Sequence, residues 1–142
     1  MWPALFLVAV ACTAEPKGDF VSGEPDVLLH HIDKGVDAAA AEKVLRRVLA
    51  AVPQLKQMRA AQEKPSGGRV RLNLSLQSGP DPQAVDALER SHYFVYVNLQ
   101  GSSGLLKTYT FVVAKDLNEV KAFDEDGDSV ISIPKWLSKQ ER

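Results

Sequence analysis

Arg69-Val70-Arg71-Leu72-Asn73-Leu74-Ser75-Leu76 alternates apolar and polar residues without a fault. With a side-chain period of two, Val70, Leu72, Leu74 and Leu76 take one face of a strand, and Arg69, Arg71, Asn73 and Ser75 take the other. A half-buried sheet follows from this one segment, and its neighbours extend it. Downstream, Ser78 to Pro82 reads as a loop and Ala84 to Glu89 as a helical turn. Strands are then expected at His92 to Leu99, Leu106 to Ala114 and Val120 to Phe123. Gly101 to Gly104 and Lys115-Asp116-Leu117-Asn118 are the reversals between them. Asp126-Gly127 marks a further turn before Val130 to Ile133, and Pro134 is suited to open a short last helix bearing Trp136 and Leu137.

Upstream, the period changes. Val44, Val48 and Val52 recur at four, with Leu45 and Leu49 beside them, while Glu42, Lys43, Arg46 and Arg47 face away. Asp37 stands at the cap position. Pro53 lacks a backbone donor and should kink or restart the helix, Leu55 and Met58 carry the stripe toward Lys64, and Pro65-Ser66-Gly67-Gly68 ends it. The expected architecture is therefore α+β, a long N-terminal amphipathic helix packed on an antiparallel sheet of about four strands.

The chain has 142 residues, which suits one domain. A net charge of -1 gives no general attraction to nucleic acid or to anionic lipid, so no nucleic-acid partner is expected. The charge is unevenly spread. Lys43, Arg46, Arg47, Lys56, Arg59, Lys64, Arg69 and Arg71 gather in one stretch, and Asp116, Glu119, Asp124, Glu125, Asp126 and Asp128 in another. Such a division reads either as solvated faces and turns or as a dipole that orients a charged partner.

Residues Trp2 to Ala11, WPALFLVAVA, are too short an apolar run to span a bilayer and match the apolar part of a signal peptide. The only cysteine, Cys12, follows at once. Ala9-Val10-Ala11-Cys12 resembles a lipobox, which implies cleavage before Cys12 and lipidation of it. Simple cleavage after Ala11 or Ala14, or a buried structural cysteine, is the competing reading. The expected organisation is a signal peptide at 1-11, a lipidated Cys12 with a flexible tether over 12-25, and a single α+β domain over 26-142.

Val52-Pro53-Gln54-Leu55-Lys56, Ser66-Gly67-Gly68-Arg69, Tyr93-Phe94-Val95-Tyr96-Val97, Thr108-Tyr109-Thr110-Phe111-Val112-Val113 and Val130-Ile131-Ser132-Ile133-Pro134-Lys135-Trp136 carry a resemblance of pattern. From about Ala40 to Trp136 the chain resembles small uncharacterised bacterial secreted proteins and lipoproteins. The resemblance implies a cystatin-like shape, similar to the nuclear-transport-factor-2 superfamily. It implies no catalytic residue, since such shapes host many functions.

His30, His31 and Asp33 are the nearest approach to a metal set, but adjacent histidines diverge on either a strand or a helix, so no metal or other cofactor is expected. Asp124-Glu125-Asp126-Gly127-Asp128 superficially matches a calcium loop. Aligning Gly127 with the loop glycine, however, puts Ala122 and Ile133 where ligands belong, and a hairpin turn explains it better. No phosphate loop or nucleophile elbow occurs, so no catalytic residue is assigned. His92 reads as a surface or packed strand residue.

The sheet's outer face offers more. If Tyr93, Val95, Val97 and Leu99 pack under the helix, then Phe94 and Tyr96 point away, on the side of Arg69 and Arg71. Aromatic and Arg side chains on one patch favour protein recognition, against the alternative that the rings are covered by a terminal segment or a dimer partner. The expected function is a noncatalytic binding module, of inhibitor or immunity type, held at the periplasmic or outer-membrane face by its lipid or else secreted. Its partner is an envelope or secreted protein, and it meets the membrane through the lipid anchor only. A metal-dependent or hydrolytic envelope enzyme and a structural envelope lipoprotein are the alternatives.

Overall fold

The computed structural model describes residues 20–141. The expected signal peptide and the lipidation site Cys12 lie outside the described residues.

Six strands form one sheet in sequential order: β1 (Val27–His31), β2 (Arg71–Ser78), β3 (His92–Gly101), β4 (Gly104–Ala114), β5 (Val120–Asp124) and β6 (Ser129–Ser132). β1 and β2 are parallel; every later neighbour is antiparallel. Between β1 and β2 run α1 (Ala38–Ala51), α2 (Gln54–Ala61) and the single turn α3 (Glu63–Ser66). α4 (Ala87–Ser91) precedes β3, and α5 (Ile133–Gln140) ends the fold.

Two expectations are overturned. Among the described residues there is no long N-terminal helix, and the sheet is mixed with six strands rather than antiparallel with four. The residue before a proline is pushed out of the α region, so Val52 leaves the helical conformation (φ -130°, ψ 68°), α1 stops, and Pro53 begins a new helix. The αL conformation of Gly67 (φ 77°) then closes α3. A strand, β1, comes before all of this. Its Val27, Leu29 and His31 are buried beside Leu72, Leu74 and Leu76, a pairing that needs the helices as a crossover.

Local chemistry supports each element. The Asp37 carboxylate accepts from Ala40 N at 3.2 Å and caps α1, and the Ser132 hydroxyl accepts from Lys135 N at 3.3 Å to cap α5. Ala41, Val44, Leu45 and Val48 of α1 and Leu55 of α2 are buried against Leu72, Leu74, Leu76, Val95, Val97, Phe111 and Val113 of the sheet. Trp136 of α5 meets Tyr109 and Phe111 edge-on, with ring centroids 5.1 and 5.0 Å apart. Since Tyr109 and Phe111 stand opposite Val97 and Val95, α5 lies on the same side of the sheet as α1 and α2. The other face of the central strands keeps its side chains outward.

Residues 20–25 are fastened to the domain. Phe20 forms a β-bridge with Leu29 and stacks on His31, and Arg46 donates to the Val21 carbonyl at 2.6 Å. Lys56 pairs with Glu24.

Candidate functional site

The outward face of the sheet holds the expected recognition residues. Along β3 the burial alternates: Val95 and Val97 are fully buried, while Tyr96 is 41% exposed and Phe94 and Asn98 are half-buried. Tyr96 stands between Ser75 of β2 and Thr110 of β4, and Phe94 between Ser78 and Val112. Val112 is nearly inaccessible on this face, so its flanking side chains already make a small apolar patch. Leu105, opposite Gln100, is exposed at 59%.

β2 and β3 are neighbours, but their antiparallel register separates the expected residues. Arg71 stands opposite Gln100, six residues along β3 from Phe94, about 20 Å at the usual strand rise. The face therefore has an aromatic end and a cationic end. Asn73 and Asn98 face each other between them, and Asn73 Oδ1 is buried with no donor among the described residues.

The two arginines also differ. Arg69 Nε donates to Asp26 at 2.5 Å, and Asp26 lies 3.7 Å from Arg59 as well, so the Arg69 charge is largely answered within the fold. Arg71 is exposed and has no ion-pair partner among the described residues. Much of the basic stretch is likewise neutralised locally: Arg46 pairs with Glu42, and Arg59 with Glu63 at 2.6 Å. The Arg59 hydrogen bond holds the Glu63 carboxyl below its ordinary value of 4.5.

His30, His31 and Asp33 do not converge. Asp33 accepts from the backbone N–H of Gly35 at 2.9 Å and of Gly79 at 3.2 Å, tying the loop after β1 to the end of β2. His31 points into the core side of β1 and lies 2.7 Å from the Val36 carbonyl, whereas His30 faces outward beside Ser75. Among the described residues no group of three or more His, Cys, Asp and Glu side chains is placed to hold a metal ion. Asp124 to Asp128 forms the β5–β6 turn, with Asp128 at φ 53°. The Asp124 carboxylate is taken by Lys139 at 3.0 Å.

One feature escaped the sequence reading, a cleft between α2 and α5 whose floor includes Leu99 and Tyr109. Gln54 and Gln57 of α2 and Gln62 just after it were its trace in the sequence.

No protein-family model, curated protein or solved structure matches the chain.

Proposed function

We propose that this chain is a noncatalytic binding module, exported and held at the cell envelope through a lipidated Cys12, that engages an acidic protein partner with the open face of its sheet. The partner is an envelope or secreted protein, bound in the manner of an inhibitor or immunity protein. One observation carries the reading. Tyr96 stands open in the middle of a sheet face that the longer helices leave to solvent, with Phe94 and Val112 beside it. Interfaces draw their energy from a few such aromatic anchors. The partner's charge follows from the same face. Its outward strand residues carry no carboxylate. Lys121 is answered by Glu119, 3.8 Å away just before β5, so Arg71 supplies the charge, which also disfavours the same face of a second copy as occupant.

Photo-crosslinking in intact cells tests this. A benzophenone side chain replacing Tyr96 should yield one discrete protein adduct, and the same group at Lys135, on the exposed side of α5, should not. Phe94→Ser should remove the adduct while the fold persists. Equal labelling from both positions, or none from Tyr96, overturns the reading. Intact mass of the mature protein separately tests the anchor, which an unmodified Cys12 or a terminus beyond it would overturn.

A further inference from the structure

The helical layer does not close over the β3–β4 end of the sheet. A cleft of about 360 Å³ opens there between α2 and α5. Leu99 and Tyr109 form its floor; Leu99 is almost fully buried, and the half-buried Tyr109 ring meets Trp136 of α5 edge-on. From α2, Gln54, Gln57 and Met58 line one wall, at the spacing that puts side chains on one helix face. From α5, Leu137 and Gln140 line the other.

A helix packed edge to edge against its neighbour would carry apolar residues along such a stripe. Here two of the three stripe residues, Gln54 and Gln57, are carboxamides. One of them is frustrated: Gln54 Oε1 is buried and has no donor among the described residues. A buried acceptor without a donor forfeits its desolvation free energy, so the fold supplies a reason for a donor to enter.

We propose that this cleft is a binding site for a small, neutral, polyhydroxylated ligand of the saccharide class. Each carboxamide offers a donor and an acceptor side by side, which matches a pair of ring hydroxyls, since every hydroxyl both donates and accepts. Rotation of the Gln54 amide brings its oxygen to the ligand. Met58, Leu137 and the half-buried Tyr109 ring supply apolar surface for the C–H face of the ring. Neutrality follows from the charges, because exposed Lys107 and Glu141 set one charge of each sign against the other. Burial holds the Tyr109 phenol above its ordinary value of 10.0, so it remains an uncharged donor.

A peptide fits less well. Strand addition needs an open sheet edge, and both β3 and β4 are paired on each side. A docked helix needs a continuous apolar groove, and a proline-rich segment needs an aromatic one; here glutamines interrupt the apolar lining of both walls and Tyr109 is the one aromatic lining residue. The inference is independent of the reading of the open face, since it concerns the helical side of the sheet.

The test is a titration of isotope-labelled protein with glucose, galactose, mannose, N-acetylglucosamine and their disaccharides, followed by NMR. At least one sugar should shift the side-chain amide signals of Gln54, Gln57 and Gln140 together and saturably. Gln54→Met should weaken that affinity by about tenfold or more, the loss expected when a hydrogen-bonding partner becomes apolar. Gln140→Leu, at an exposed position of α5, should weaken it too and guards against a folding defect at Gln54. Cyclohexanol, a ring of similar size without the hydroxyl pattern, should not saturate the site. No saturable shift with any sugar, unchanged affinity in both variants, or equal binding of cyclohexanol overturns the proposal.

Discussion

β3 presents two faces to two media. Val95, Val97 and Leu99 lie in a dry core under α1 and beside Phe111, whereas Phe94, Tyr96 and Asn98, one residue out of phase, meet solvent. The backbone is the same; only the layer above it differs. One layer of helices is enough to dry most of one side of the sheet, and burial accounts for its central side chains. On the other side burial accounts for little, so the aromatic residues kept there call for a different explanation, which the proposed partner supplies.

The sharpest way to break this contrast is at neighbouring positions of β2. Leu72→Ala should cost about 2 to 5 kcal/mol, the range for truncating a fully buried leucine, while Arg71→Ala should stay within about 0.5 kcal/mol. Denaturant melts of the two variants measure both. Similar values would mean that the two faces are not energetically distinct.

A smaller effect probes the layer that creates the difference. Asp37→Ala removes the cap of α1 and should cost about 1 kcal/mol, read in the same melts. A loss well below that would mean that α1 is held on the inner face by packing alone.

The smallest expected effect concerns α5 and appears only as a dependence on pH. A hydrogen bond from Lys139 is the main cause holding the Asp124 carboxyl below its ordinary value of 3.8. The native state therefore gives up this proton more readily than the unfolded chain. The pairing stabilises the fold above pH 3.8, and that contribution is lost as pH falls through the lower native value. Lys139→Met should flatten the acid limb of the thermal melting profile. An unchanged profile would show that the ion pair contributes nothing to docking α5.

The strands of the meander were legible because their period is local. The alternation from Val70 to Leu76 requires only the sequence, and β2 occupies Arg71–Ser78. Turns at Leu117 (φ 67°) and Asp128 (φ 53°) fall at Lys115-Asp116-Leu117-Asn118 and beside Asp126-Gly127, where turns were expected. The final helix follows Ser132 as its cap, with Pro134 in the first turn.

β1 was not legible. Val27-Leu28-Leu29-His30-His31 is short, borders a stretch rich in Gly, Pro and charge, and ends in histidines that suggested ligands. Its partner Leu72 is far away in the chain, and nothing nearby announces a parallel strand. The division of the long helix was half legible: Pro53 marks the place, but a kink and a break look alike until Val52 is seen outside the helical region. The separation of Phe94 from Arg71 was hidden too, because alternation assigns a face and only register assigns a position along it. The cleft needed α2, α5 and two strands together, a juxtaposition that no local pattern contains.

The parallel β1–β2 pair has a kinetic consequence. The hairpin of β3 and β4 closes over a few residues, from Gly101 to Gly104, whereas joining Val27 to Leu72 must first close a loop that contains three helices. Loop closure costs entropy before a distant contact repays it, so the meander is the natural nucleus and β1 is the last strand to dock. Substitutions in β1 should then speed unfolding and leave the folding rate nearly unchanged. On the native side, amide exchange in β1 should outpace that in β3, making this edge the first part of the sheet to open.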